Sequence, residues 1–355
     1  MTVLITGATG FLGRHVLQTM AAAGSAGRAL ALVRKRSEWE AMAWTQELGG
    51  VDTLEGTVTG LDSSHLPESV GRLTGILHLA AVVHHSRRGA EAMWQTNVEG
   101  TLNMVRLAAA HRCRMIFVST SGVVGSFDTL AEAADEEAPF CEARVSRWPY
   151  YASKVAAEKA ARALANDLGV ELIFLRPPVL LGPGDHRFRS SSNIIRYLRR
   201  RLPVVFPGGM HFADIRDVSQ AILTVLDHPS PRPIYHLPGA ASELDTFFRW
   251  IAQAVGREPD WRTVPSRLAW GAAVLNQWLG STLSFLPDPV VIEMGSSYWG
   301  LKSLYAAEEL GYQSRPPQET LTDTIAWLQA EHPQLKVLAA GSPSTPLTTA
   351  ADQRP

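Results

Sequence analysis

Over its first 180 residues the chain alternates short apolar runs with stretches whose apolar positions recur at helical spacing. Val3–Thr6 reads as a strand. It leads into a helix over Gly10–Ala23 that carries Phe11, Leu12, Val16, Leu17 and Met20 on one side. The same reading predicts strands at Ala29–Val33, Val51–Leu54, Ile76–Ala80, Met115–Ser119 and Val170–Leu175. Helices are predicted at Glu38–Leu48, Ala90–Ala110 and Tyr150–Asp167. Strands and helices in strict alternation predict a doubly wound α/β fold built on a parallel sheet. After Pro177 the pattern loosens into Gly- and Pro-rich loops. A helix at Asp214–Asp227 and a strand at Ile234–Leu237 are placed to return to the main sheet. Further helices are expected at Asp245–Val255, Leu268–Leu279, Asp288–Met294, Leu304–Leu310 and Thr320–Glu331. The organisation is thus a main domain over 1–180, with 210–237 rejoining it. A smaller, mostly helical lobe takes 181–209 and 238–335, and 338–355 has the composition of a disordered tail.

Length supports two lobes, because 355 residues exceed the roughly 250–300 at which a single core stops growing. A 46% hydrophobic and 19% charged composition is that of a globular chain. Its formal charge of -1 leaves no basic excess for a nucleic-acid backbone, so no nucleic-acid partner is expected. Cys113 and Cys141 could make one bridge at most and read as reduced thiols. Met1 runs straight into Val3-Leu4-Ile5 with no basic leader, which predicts a cytoplasmic protein. From Leu268 to Leu286 the chain carries no charge. Asn276, Gln277, Gly280, Ser281, Thr282 and Ser284 interrupt it, so a helix buried or lying over an apolar ligand is expected rather than a membrane span.

Chemistry begins at Gly7-Ala8-Thr9-Gly10-Phe11-Leu12-Gly13, directly after a strand and opening a helix. Glycines there allow a tight turn and close approach of backbone to a pyrophosphate, which the helix N-terminus attracts. The second strand ends in Val33-Arg34-Lys35-Arg36, with no acid before Glu38. A ribose 2′-hydroxyl is normally held by an acid at that place. Arg34 instead suits a 2′-phosphate, so NADP is favoured over NAD.

The second signal is Tyr150-Tyr151-Ala152-Ser153-Lys154. Residues four apart share a helix face, so Tyr150 and Lys154 point the same way. A phenol near pKa 10 is a poor acid–base group at neutral pH unless an ammonium stabilises its phenolate. Only five of the 33 cationic residues are lysines, which makes one at this spacing informative. Tyr151 has Val155 in that place. The third signal is Phe117-Val118-Ser119-Thr120-Ser121-Gly122, a strand running into hydroxyls where open α/β sheets bind ligands.

Together these residues resemble the extended short-chain dehydrogenase/reductase superfamily from Val3 to about Gln329. The likeness includes His78-Leu79-Ala80-Ala81, Asn97-Val98-Glu99-Gly100-Thr101, Arg176-Pro177-Pro178-Val179-Leu180-Leu181-Gly182-Pro183-Gly184, Ala213-Asp214-Ile215-Arg216-Asp217-Val218 and Glu309-Leu310-Gly311-Tyr312. The resemblance implies a Rossmann-type dinucleotide domain and a catalytic trio of Ser121, Tyr150 and Lys154, with Asn97 structural or water-positioning. It implies cofactor contacts from Gly7, Thr9, Gly10, Phe11, Leu12, Arg34, Leu79, Ala80, Ala81, Tyr150, Lys154, Pro177 and Val179. A homodimer through two helices is common in that superfamily. Thr57 stands where many members carry an adenine-contacting Asp. Arg176-Pro177-Pro178-Val179 and Met210-His211-Phe212-Ala213 depart from the sugar-nucleotide epimerase pattern. The chain is closer in look to the 3β-hydroxysteroid dehydrogenase and dihydroflavonol reductase branch. That likeness implies an oxidoreductase interconverting an alcohol and a ketone on a hydrophobic small molecule. An NAD-retaining sugar-nucleotide epimerase or dehydratase, and a non-catalytic NADP sensor, are the alternatives.

Other features read as ordinary surface or core. Arg196, Arg199, Arg200 and Arg201 suit a solvated helix end. His84-His85 has no Cys or carboxylate at ligand spacing, so no metal is expected. Trp261, Trp270, Trp278 and Trp299 read first as lobe core, although a pocket for a large apolar substrate would use the same residues.

Overall fold

The computed structural model describes residues 2–62, 66, 70–87, 89–280 and 286–336. Seven strands, all parallel, form the main sheet in the order Ile234–His236, Leu172–Arg176, Arg114–Val118, Leu73–His78, Thr2–Thr6, Ala29–Val33, Asp52–Glu55. Their apolar runs are buried on both faces, which a parallel sheet requires because its crossover helices cover both. On one face Val16, Leu17 and Met20 of the helix Phe11–Ala22 pack with Val218, Ile222 and Val225 of the helix Ile215–Asp227. On the other, Met104 and Val105 of Gly100–His111 meet Ala157 and Ala161 of Pro149–Leu168. Small alanines on that last helix let it lie close to the sheet.

A second core belongs to the region after Leu181. There Phe247 and Ile251 of Leu244–Ala254 pack with Leu321, Ile325 and Leu328 of Pro317–Glu331. Beneath them lies a three-stranded sheet: Ala240–Glu243 pairs antiparallel with Gly209–Asp214, which pairs parallel with Val179–Leu181. The sequence pattern shows Gly- and Pro-rich loops here: Val179–Leu181 is only three residues long, and Gly209-Met210-His211-Phe212-Ala213-Asp214 mixes polar and apolar residues although all six are buried.

Several elements differ from their expected bounds for local reasons. The expected helix Glu38–Leu48 is two pieces, Arg36–Glu40 and Ala43–Gln46; Met42 is extended and the Thr45 hydroxyl bonds the carbonyls of Trp39 and Met42. The expected Ala90–Ala110 helix contains a π-turn at Gln95–Glu99 between Ala90–Trp94 and Gly100–His111. Such turns open a helix where a side chain is needed elsewhere. The fourth strand is Leu73–His78 rather than Ile76–Ala80, since the amides of Leu79 and Ala80 turn to the Thr6 hydroxyl. The helix expected from Leu304 begins at Ala306, whose amide the Ser303 hydroxyl accepts. The 338–355 tail, and 281–285 of the uncharged stretch, lie outside the described residues.

Candidate active site

From Thr2–Thr6 the chain winds to one side of the sheet, and from Leu73–His78 to the other. The crevice at the carboxyl ends of these two neighbours is where open sheets bind ligands. Gly7 leaves the first strand at φ +69°, and a Cβ there would stand 2.8 Å from Ala80 N and Leu79 C. The Gly10 amide donates to Gly7 O at 2.8 Å, and Gly10 caps the helix Phe11–Ala22. A Cβ on Gly13 would come within 2.3 Å of Gly7 O. Thr9, Phe11 and Leu12 stand half-buried on the same turn, with no acid in the first turn of the helix. Hydrogen-only positions and free helix-start amides make a cradle that fits a dinucleotide pyrophosphate.

Behind the cradle runs a buried polar chain. Thr6 Oγ1 accepts from the amides of Leu79 and Ala80, both at 3.1 Å. It lies 2.8 Å from His78 Nδ1, and His78 Nε2 lies 3.0 Å from Thr101 Oγ1. Thr101 gives its proton to Asn97 O, so His78 must donate from Nε2 and accept at Nδ1 from Thr6. Burial, then the Lys154 charge, pulls His78 down to about 3 and keeps it in that neutral form. Leu79 and Ala80 are thereby held against Gly7, with Ala81 following them in the chain.

At the end of the second strand Arg34 is exposed, while its neighbours are engaged locally. Lys35 pairs with Glu38 at 3.2 Å, and Arg36 bonds Thr53 O and, through its amide, Glu55. Arg187 lies within electrostatic reach: burial, then repulsion from Arg189 and Arg34, holds its guanidinium below its ordinary pKa. Thr57 closes a small turn, accepting from the Gly60 amide at 3.1 Å.

Tyr150 sits in the first turn of Pro149–Leu168, and Tyr150, Lys154 and Glu158 follow one another along one face. Lys154 is buried; its Nζ donates to Val118 O at 3.0 Å and lies 4.2 Å over the Phe117 ring. Burial lowers its pKa to about 7, against the opposing pull of Glu158. Glu158 in turn takes two hydrogen bonds of 3.2 Å and one of 2.6 Å from Arg176. Burial pushes the Tyr150 phenol up to about 12, opposed by a hydrogen bond with the Thr120 side chain. Tyr151 is turned away, packed between Trp148 and Trp299 and over Gly122, where a Cβ would lie 2.1 Å from its ring.

The Thr120 side chain lies near enough to the Tyr150 phenol to oppose that rise, and its Oγ1 accepts from the Gly122 amide at 3.3 Å. Ser121 is buried and opens the short turn Ser121–Val123; its amide donates to Pro177 O at 2.8 Å and its carbonyl accepts from Gly125. Sequence reasoning names Ser121 as the catalytic hydroxyl, and Thr120 is the neighbouring hydroxyl that the fold adds beside Tyr150. Pro177 is fixed by that Ser121 bond, while Val179 opens the strand beside Phe212 and is partly exposed.

Asn97 joins the loop after the fourth strand to the helix Pro149–Leu168. Its amide bonds both backbone groups of Val82, at 2.8 and 3.0 Å, and Ser153 Oγ at 3.0 Å. Ser153 donates to Tyr150 O. Further along the loop, His85 stands edge-on to Tyr150 with ring centroids 6.4 Å apart, and its Nδ1 is buried without a partner.

The chain is 27% identical over 335 residues to the 4-hydroxy-2-methyl-3-oxo-4-farnesyl-3,4-dihydroquinoline-1-oxide ketoreductase of Stigmatella aurantiaca, covering 92% of this chain and 96% of that one. It is 25% identical over 337 residues to sterol demethylase protein B of Methylococcus capsulatus (93% and 98% covered), and 28% identical over 251 residues to dihydroflavonol 4-reductase of Hordeum vulgare (66% and 69%). Among solved structures, gox2253 superposes with a TM-score of 0.77 at 25% identity, over 93% of this chain and 98% of that one. The family model for the NAD dependent epimerase/dehydratase family matches residues 3–237. With the glycine cradle, the switch-point crevice and the Tyr150–Lys154 face all inside that span, the chain belongs to the NAD-dependent epimerase/dehydratase family and is an NAD(P)-dependent enzyme.

Proposed function

We propose that the chain is a cytosolic NADPH-dependent reductase that interconverts a ketone and a secondary alcohol on a bulky apolar substrate. The observation that carries this reading is Tyr150, a half-buried phenol that desolvation keeps protonated at neutral pH, one helical turn from buried Lys154 on the same helix face. NADP is favoured because Arg34 is the residue at the end of the second strand with no local partner of the kind that occupies Lys35 and Arg36. An apolar substrate is favoured by the aromatic surroundings of Tyr150 and by the ring-bearing compounds in the relatives' names. We assign the nucleotide to 1–180 with 210–237, and the substrate to the lobe of 181–209 and 238–335.

In the reducing direction the bound nicotinamide supplies a hydride to the carbonyl carbon. Tyr150 Oη donates a hydrogen bond to the carbonyl oxygen and gives up its proton as that oxygen becomes an alkoxide. Thr120 donates to the phenolate left behind. The Lys154 ammonium favours that phenolate, bringing a phenol near 12 into working range. Glu158 favours the charged form of Lys154.

Tyr150→Phe tests the reading. NADPH oxidation with a panel of steroid, flavonoid and long-chain acyl ketones is expected to fall by about 10²–10⁴-fold. NADPH affinity, read by nucleotide fluorescence, is expected to stay near that of the wild type. A variant that keeps its turnover overturns the mechanism.

A further inference from the structure

The helix Ser266–Trp278 is built inside out. Ala269, Ala273 and Asn276 face the protein, while its large apolar side chains face outward. Leu268 is 67% exposed, Leu275 56% and Trp278 83%, with Leu279 beside them. Positions 268, 272, 275 and 279 fall three and four apart, so they form one continuous stripe. No Asp or Glu occurs from Trp261 to Pro287. Solvated helices turn their large apolar side chains inward, and this one turns Leu268, Leu275 and Trp278 outward.

Its N-terminal end is cationic. Arg262–Thr263 pairs with Val204–Val205, and the Arg262 amide donates to Pro203 O. This brings exposed Arg199, Arg200 and Arg201 to the same end as exposed Arg262 and Arg267. With Arg257 there are six cations against Glu258 and Asp260. An apolar stripe carrying Trp and Leu and flanked by arginines has the make-up of a helix lying in a lipid–water interface. Among the described residues no helix is long and apolar enough to cross a membrane.

We propose that the Ser266–Trp278 face docks the protein on an anionic lipid surface, its stripe entering the interface and its arginines meeting the headgroups. The docked helix is tied to the active site. Trp270 Nε1 donates to Glu293 at 3.0 Å, and Glu293 also accepts from Trp148, two residues before Tyr150, and from Arg87, two residues after His85. The helix proposed to meet lipid is thus joined through Glu293 to the segments that carry Tyr150 and His85.

Flotation with phosphatidylcholine vesicles, with and without phosphatidylglycerol, tests this using the full chain. The wild type is expected to float with phosphatidylglycerol vesicles, less so as salt is raised. Leu268→Ser/Leu275→Ser/Trp278→Ser is expected to lower vesicle partitioning at least ~100-fold. NADPH binding and Tm should be unchanged, because these side chains are outward. Arg262→Glu/Arg267→Glu should remove the preference for phosphatidylglycerol. The proposal is overturned if the wild type floats with neither vesicle, or if the triple variant floats equally well. It is also overturned if vesicles fail to recruit a wild-type dimer that the triple variant converts to monomer, since the stripe then covers a second copy.

Discussion

Glu158→Gln removes one charge from the floor of the site and leaves the shape almost unaltered. The Glu158 side chain is 0% exposed and that of Arg176 2%, and three close contacts join them. The guanidinium's other hydrogen-bonding neighbour, His236 Nε2 at 3.3 Å, offers no negative charge, and burial, then Arg176 itself, holds that imidazole below its ordinary pKa. Glu136 is already bound to the His236 amide, Ser303 and Leu304. The variant thus strands a buried arginine, which costs about 3–5 kcal/mol. For a chain of this size that is a fall in Tm on the order of 10 °C, read by thermal denaturation followed by circular dichroism. A double variant, Glu158→Leu/Arg176→Leu, removes both charges and should recover most of the loss, because an apolar pair of similar volume is nearly neutral. The single variant has a second readout. Without Glu158 the Lys154 pKa falls further below about 7, so reductase activity should fade at a lower pH than in the wild type. A Tm within ~2 °C of wild type, or a double variant as unstable as the single one, refutes the reasoning.

Thr120→Val is expected to lower kcat about 100-fold through loss of the hydroxyl at the phenol, whereas Ser121→Ala should stay within a few-fold; steady-state kinetics on one ketone separates them. Arg34→Ser should weaken NADPH binding by about 10–100-fold, the worth of a charge-assisted hydrogen bond, and leave NADH binding unchanged in a fluorescence titration. Gly13→Ala should destabilise by at least ~1 kcal/mol and impair both nucleotides, since its Cβ would meet Gly7 O at 2.3 Å; normal binding would show that the turn can relax. Lys154 is about 7 in the fold and near 10.4 unfolded, so between those values the unfolded chain holds the extra proton and stability rises with pH, by up to ~1.4 kcal/mol per unit. Urea unfolding of wild type and Lys154→Met should therefore diverge above about pH 7 in favour of the wild type, and parallel curves would refute the shift.

Much of the sheet was legible in sequence because each buried parallel strand must be apolar and each must be followed by a crossover helix. Thr2–Thr6, Ala29–Val33, Arg114–Val118 and Leu172–Arg176 lie within a residue or two of their expected bounds. The misplaced ends share a cause, side chains that capture backbone groups from across the fold. The Thr6 hydroxyl ends the fourth strand from 73 residues away, and the Asn97 carboxamide draws the backbone of Val82 to a helix it opens. Neither partner is close in sequence. For the same reason the shared face of Tyr150 and Lys154, four apart on one helix, is legible in sequence, whereas the position of Thr120 near Tyr150 depends on how the segment after a strand sits beside that helix.

The Tyr–Lys spacing states only part of what the chemistry needs. A lysine buried well enough to touch a phenol loses much of its charge to desolvation, and at about 7 Lys154 is close to doing so. The helix answers this one turn further on with Glu158, whose carboxylate would itself be untenable in a dry interior without a cation. That cation, Arg176, ends the strand immediately before Pro177, which the Ser121 amide anchors beside Thr120. Charge therefore alternates along a line from Lys154 through Glu158 to Arg176, and the line ends in the segment that returns to the site. Each ion is held by the next, so the charge on Lys154 depends on Glu158 and, through it, on Arg176, and under the proposed mechanism the acidity of the phenol follows. Variants of Glu158 and Arg176 should accordingly displace pH profiles as well as lower stability, which a purely structural ion pair would not do.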